Sequence, residues 1–517
     1  MQHRVETMSL EEKVGQLFTF YYCNQNYAEA AEMCIKQLKA GGMFLDVQSL
    51  DNPEQVHELT GRMQETALQE GSGIPLFIAA DFVAGAGCKL PGGGAVHFPK
   101  NMAIGAAADE QLAYESGRIT AVESLAMGVN FNYSPVVDIN NNPDNPVIGT
   151  HSFGETSELV ATMGTAVIRG YQEHGMIATA KHFPGHGDTN VDSHLALPVL
   201  PFGEERLRQF ELSTFREAIR CGVDAIMVGH IAAPALDPSM LPASLSKPMI
   251  TGLLRREMGF RGLIVTDGMS MKGVTALYSQ ARACVLALAA GADIVLAHPR
   301  EDREAVEMVD AVLEAVRSGE LEEARIDESV RRILAVKEKY GLTPERAATA
   351  AGAMKTTLLN QPASREISSR LAAQVMRRTG EPARWEQVKR VRAEGAKWNL
   401  IAHSSLTLFA DRLEESGAIA DKRLVDANEK LPEAAGEWVG VGPLLVAIAH
   451  NKRLPDEVYE QLRELAATSE YDVVAVHFGS PYDVGDWPEL PVLLMYDHAP
   501  ALQETAAQFL NAAECRR

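Results

Sequence analysis

The densest run of reactive side chains is Lys181-His182-Phe183-Pro184-Gly185-His186-Gly187-Asp188-Thr189-Asn190-Val191-Asp192-Ser193-His194. It places one lysine, three histidines and two aspartates within 14 residues, interrupted by two glycines and a proline. Glycine and proline at that density make a loop, and loops held by a rigid scaffold are where chemistry concentrates. Two chemistries suit the set. His182, His186, Asp188, Asp192 and His194 are all of metal-ligating type. However, Pro184-Gly185 separates His182 from His186, so these two cannot be ligands one turn apart on a helix. The other chemistry is proton transfer. Asp192 and His194 stand two residues apart. A carboxylate holding one imidazole nitrogen sets the tautomer and raises the basicity of the other. That nitrogen can then deliver a proton to a leaving group near neutral pH. The same residues would also suit a solvated polar loop.

A second candidate is Ile264-Val265-Thr266-Asp267-Gly268-Met269-Ser270-Met271, where an apolar run ends in a carboxylate followed by glycine. A carboxylate so placed can attack an anomeric carbon and form a glycosyl ester. It can equally cap the next helix.

Elements that would position these groups are legible in the apolar pattern. Ser9-Leu10-Glu11-Glu12 is a capping box that opens a helix. Eight strand candidates follow: Leu17–Tyr21, Gly42–Leu45, Pro75–Asp81, Val129–Ile139, Ala178–His182, Ala225–His230, Leu263–Asp267 and Asp293–His298. The first can also be read as helix. Between most of them lie amphipathic helices, among them Glu205–Cys221, Gln280–Ala290 and Arg303–Val316, with apolar residues near a 3.6 period. Strand–helix alternation over this length implies a parallel sheet, and seven or eight units fit a (β/α)8 TIM-like barrel. Six runs end in Asp81, Asp138, His182, His230, Asp267 and His298, and the C-terminal strand ends of such a barrel carry its active site. The barrel is expected over 1–342, a linker over 343–370, and a smaller α/β sandwich domain over 371–517. In the last, Trp398–Ala402, Leu444–Ala449, Val473–His477 and Val492–Tyr496 are apolar runs, with helices such as Asp456–Ala467 between. Thr343–Gln361 reads as linker or frayed helix.

The chain has 517 residues, 46% hydrophobic and 23% charged. That composition excludes collagen, a disulfide miniprotein and a mostly disordered chain. The net charge is 48 − 69 = −21, which disfavours nucleic acid and anionic membranes as partners. No run of 18 apolar residues suggests a membrane span. The N-terminus carries no apolar stretch of the kind a secretory signal needs, so a cytoplasmic protein is expected. The six scattered cysteines form no CxxC pair, as suits reduced thiols.

Lys181–His194 with Leu195-Ala196-Leu197-Pro198 resembles the signature of glycoside hydrolase family 3, in its β-N-acetylhexosaminidase branch. Four further segments resemble the family. They are Asn130–Asp138 at strand 4, Asn145–Gly149 through Ser152–Gly154 in the following loop, Thr266-Asp267 with Met269 and Met271, and Arg325–Leu334 in the last barrel helix. Gly479-Ser480-Pro481-Tyr482-Asp483 resembles a segment of the second domain. The resemblance implies retaining hydrolysis of terminal β-linked N-acetylglucosamine with no metal or cofactor. Asp267 would be nucleophile and His194, oriented by Asp192, the acid/base. Asp81, Lys181, His182 and the loop residue at position 151 would bind the sugar. Cell-wall muropeptides or chitooligosaccharides would be the substrates.

Three features depart from the family pattern. His151 stands where members usually have arginine, and imidazole cannot reproduce the guanidinium fork. Asp81-Phe82-Val83-Ala84-Gly85 replaces the common Asp-x-Glu-Gly-Gly. The chain ends at Glu514-Cys515-Arg516-Arg517, before the closing strand of many members. Other readings stay open at this point: a β-glucosidase, a phosphorylase, a metal-dependent barrel hydrolase and a non-catalytic sugar-binding protein.

Overall fold

The capping box at Ser9 forms: the Ser9 hydroxyl accepts from the Glu12 amide, and Glu12 accepts from the Ser9 amide. The helix it opens, Leu10–Gln16, feeds directly into the first strand. In this computed structural model, residues 2–344, 354–426, 430–438, 442–450, 454–468, 473–486 and 490–512 are described.

Eight parallel strands form the first sheet: β1 (Phe18–Tyr22), β2 (Gly42–Leu45), β3 (Phe77–Ala80), β4 (Phe131–Asn132), β5 (Ile177–Phe183), β6 (Ala225–Val228), β7 (Leu263–Thr266) and β8 (Val295–Ala297). Their order is β7-β6-β5-β4-β3-β2-β1-β8. A bridge from Val265 to Ile294 joins the two outer strands, with Thr266 N donating to Ile294 O at 3.0 Å. The sheet therefore closes on itself as the expected (β/α)8 barrel, and the run at Leu17–Tyr21 is strand. Its interior is packed. Phe77 meets Phe131 at 5.2 Å, Phe131 meets Tyr133 at 5.1 Å, and Tyr133 stacks on Phe44 at 5.4 Å.

Two elements differ from the sequence expectation. The single helix expected over Glu205–Cys221 is two, Glu204–Gln209 and Glu211–Arg220, broken at Phe210. Arg206 bridges the break, lying 4.1 Å from the Phe210 ring centre and bonding Glu211 at 2.9 Å. The long run Val129–Ile139 contributes a strand of two residues and a separate bridge from Val136 to Lys181. Side-chain amides complete the pairing instead: Asn130 Oδ1 accepts from Ile78 N, and Asn132 bonds both the amide and carbonyl of Phe82. Pro135 has no amide to give.

The second sheet has β9 (Arg377–Thr379), β10 (Trp398–His403), β11 (Ile419–Val425), β12 (Leu444–Ala449), β13 (Val473–Phe478) and β14 (Val492–Leu494). Its order is β11-β10-β12-β13-β14-β9, parallel except for β9. The two strands absent from the sequence reading, β9 and β11, are its edges. Both are largely exposed and polar, so neither makes an apolar run. The Gly479–Asp483 segment is structural here. Buried Asp483 accepts from Leu454 N and Tyr459 Oη and bonds His477 Nε2 at 3.1 Å.

The chain divides into two compact units. One comprises 1–96, 109–148 and 152–364; the other comprises 97–108, 149–151 and 365–517. Met102 and Ala103 accordingly belong to the core cluster of Trp398, Leu400 and Phe409. Of the stretch read as linker, 345–353 lies outside the described residues, as does Cys515 with the chain end.

Candidate active site

Asp138, just beyond β4, is a buried clamp. Its carboxylate accepts from the His182 amide, from His182 Nδ1 at 2.8 Å and from the His186 amide at 2.7 Å. Burial alone would raise its pKa, but the His182 and His186 groups and these hydrogen bonds hold it below the usual aspartate value. The clamp fixes the end of β5 and the start of the loop. It also sets the His182 tautomer, with the proton on Nδ1, so Nε2 carries the lone pair when the ring is neutral. Beside it, Lys181 Nζ bonds Asp81 at 2.7 Å, the lysine nearly buried and the aspartate partly exposed.

Asparagines after β4 hold the rest of the loop. Asn145 Nδ2 donates to His186 O and Gly187 O, Asn141 to Asp188 and Asn142 to Asn190. The approach is so close at Gly187 that a Cβ would lie 1.7 Å from Ile139 O. Only glycine fits there.

His186 is absorbed by this scaffold. Its Nδ1 meets Thr189 Oγ1 at 2.7 Å and its Nε2 meets Ser193 Oγ at 3.0 Å, while Thr189 donates its own proton to His186 O. Nδ1 is therefore the donor to Thr189, and Nε2 shares a hydrogen bond with the Ser193 hydroxyl. Burial pushes the ring's pKa down. Neither nitrogen is free for a metal, and among the described residues no group of three or more His, Cys, Asp or Glu is set to hold one.

Asp267 follows β7 at the same end of the barrel, half-buried, with its carboxylate accepting from Gly268 N at 2.8 Å. Burial works to raise its pKa, but His182, His230, the Gly268 amide and Lys181 together hold it below the ordinary value, so it is an anion. His230 braces the same peptide. Its Nε2 donates to Gly268 O at 2.9 Å and its Nδ1 accepts from Ser244 Oγ at 2.7 Å.

His194 is exposed, 64% for its side chain, and Asp192 holds its Nδ1 at 2.7 Å. Its Nε2 has no protein partner among the described residues. Its loop is tied to that of Asp267 by Gly273 N donating to Ser193 O at 3.2 Å, and its charge is felt by His230.

The structure thus gathers Asp81, Lys181, His182 and Asp267 at one end of the barrel, and joins Asp192 to His194 beside them. His151 groups with the second unit, where its carbonyl accepts from Asn101 Nδ2 at 2.8 Å. Sequence reading missed Tyr21 and Asp46. Tyr21 lies near the end of β1, and its phenol feels the charges of Asp267, Asp81 and Asp46. The rule that polar strand ends face the site would have found both, since Tyr21 ends the run Leu17–Tyr21 and Asp46 directly follows the run Gly42–Leu45.

A model of the glycosyl hydrolase family 3 N-terminal domain matches residues 9–336. The chain belongs to glycosyl hydrolase family 3. This family 3 protein is 34% identical over 357 residues to "Beta-hexosaminidase A" of Pseudoalteromonas piscicida, covering 65% of this chain and 59% of that relative. It therefore spans less than two thirds of that relative's length. It is 27% identical over 552 residues to the "Beta-N-acetylglucosaminidase/beta-glucosidase" of Cellulomonas fimi, covering 96% of this chain and 91% of the other. Among solved structures, the family 3 fold here resembles a beta-N-acetylglucosaminidase from Paenibacillus sp. str. FPU-7. The TM-score is 0.86 at 32% identity, covering 98% of this chain and 97% of that one.

Proposed function

We propose that this family 3 protein is a retaining β-N-acetylglucosaminidase. The observation that carries the reading is the His194–Asp192 pair, with Nδ1 held and Nε2 free, on a loop tied to that of the anionic Asp267. The relatives named above support the N-acetylhexosaminide specificity.

In the first step an Asp267 oxygen attacks C1 of the sugar. The C1–O bond to the leaving group breaks, and His194 Nε2 passes its proton to the departing oxygen. Asp192 stabilises the imidazolium before transfer. In the second step water attacks C1, its proton returns to His194, and the Asp267 carboxylate leaves. Asp81, Lys181 and His182 hold sugar hydroxyls: Lys181 donates, Asp81 accepts and His182 presents Nε2. His151 belongs to the sugar-binding set by its position in the family pattern. Terminal N-acetylglucosamine of muropeptides or chitooligosaccharides is the proposed substrate, and recycling of cell-wall fragments in the cytoplasm the proposed setting.

The test is p-nitrophenol release from the β-N-acetylglucosaminide and the β-glucoside, with the anomer of the first product read by NMR. Rapid release from the N-acetyl substrate with a β-configured first product is expected. An α-configured first product would overturn the retaining assignment, and release from the glucoside alone would overturn the sugar. Release that requires added phosphate would make the enzyme a phosphorylase. Assays on muropeptides against chitobiose, with cell fractionation, decide the finer substrate and location.

A further inference from the structure

We infer that Tyr21 is a substrate-contacting, specificity-determining residue of this site, its phenol donating a hydrogen bond to a substituent oxygen of the sugar bound at Asp267. The inference deepens the function proposed above and rests on it.

Tyr21 lies near the C-terminal end of β1, the end of the strand that faces the barrel mouth. Its hydroxyl stands beside the Asp267–Gly268 peptide: a Cβ built on Gly268 would lie 3.2 Å from it. The ring is fixed on two sides. It stacks on His298 at 4.1 Å with an interplanar angle of 11°, and leans on Phe44 at 4.6 Å. His298 is itself bonded through Nδ1 to Ser270 Oγ at 3.0 Å, three residues beyond Asp267. The phenol is thus positioned by the same loop that carries the proposed nucleophile.

The hydroxyl has no protein hydrogen-bond partner among the described residues, although its residue is largely enclosed. A half-buried phenol without a protein partner is available to donate to a bound oxygen. Burial and the charges of Asp267, Asp81 and Asp46 push its pKa well up. It remains a proton donor at any working pH. The carboxylates accept from sugar hydroxyls, and Tyr21 adds a neutral donor for a sugar oxygen. The Tyr21–His298 stack further offers a rigid aromatic edge that a flexible donor could not.

The test is Tyr21→Phe, which removes one oxygen and keeps the packing. Expected is a roughly tenfold weaker competitive inhibition by N-acetylglucosamine and a loss of about tenfold in kcat/KM, with an unchanged melting temperature. Direct calorimetric binding of N-acetylglucosamine reads the same contact without turnover. His298→Ala, which frees the ring but spares the hydroxyl, should lose part of the affinity. Unchanged affinity and kcat/KM in Tyr21→Phe would overturn the inference. If the wild type neither binds nor cleaves these sugars, the glycosidase reading itself fails, a result distinct from an insensitive variant.

Discussion

The two ends of the barrel treat charge in opposite ways. At the C-terminal end, His194 Nε2 and the Tyr21 hydroxyl have no protein partner among the described residues, and Asp81 and Asp267 stay partly open. At the N-terminal end the buried charged groups Asp293, Asp224 and Lys337 are each held by protein partners. Asp293, fully buried before β8, accepts from Arg255 at 2.6 Å, Arg332 at 2.9 Å, Ser329 at 2.6 Å and the Ile264 amide at 3.0 Å, with Arg325 at 3.5 Å. Asp224, before β6, is held by Lys339 at 2.7 Å and by Tyr340. Lys337, buried before β1 and β2, donates to Gln16 Oε1 and Gly41 O, both at 2.9 Å. Most of these partners come from the last barrel helix, Glu323–Lys339, or the residue after it. The N-terminal end spends its buried charges on the fold; the C-terminal end clamps Asp138 and His186 in the same way but leaves His194, Tyr21 and Asp267 for a ligand. The lesson is that a buried carboxylate reads as structural or functional by how many of its acceptor positions the protein fills.

The comparison breaks most readily at Asp267. Asp267→Asn should lose roughly a thousandfold or more in kcat while urea unfolding stays unchanged. A comparable loss of stability would make Asp267 another structural aspartate. The converse holds at the other end. Asp293→Asn removes the buried charge that three guanidinium groups share and should cost about 3 kcal/mol of stability, measured by denaturant unfolding, with kcat per folded molecule preserved.

His194→Ala should lower kcat/KM about a hundredfold on a substrate with a poor leaving group and much less on a dinitrophenyl glycoside, whose departure needs no proton. Equal loss on both would remove His194 from proton transfer.

The smallest effect concerns Lys337, whose pKa burial pushes down from 10.5 to about 7. Between those values the unfolded chain binds more protons than the fold, so this group's contribution to stability rises with pH from about 7 to 10.5. In Lys337→Met the melting temperature should depend less on pH across that window. An unchanged slope would mean the lysine is charged in the fold.

Much of this was readable in the order of residues. All eight barrel strands, the first also readable as helix, the polar residues that end six of the runs and the 181–194 loop follow from apolar runs and turn residues, because these signals are local. The edge strands β9 and β11 were invisible, since exposed polar strands carry no hydrophobic period. The break at Phe210 was also missed, because the apolar spacing runs through it unchanged.

The roles within the loop were a different matter. Asp138 and His182 look equally reactive along the chain, as do His186 and His194. Only folding makes Asp138 a clamp and fills both nitrogens of His186 while leaving Nε2 of His194 open. It also carries Tyr21, 246 positions from Asp267 by their numbers in the chain, to the neighbouring peptide. Side-chain type and spacing state which groups can exchange protons or hold a sugar. Which of them remain available depends on hydrogen bonds between strands far apart in sequence, and those form only when the barrel closes.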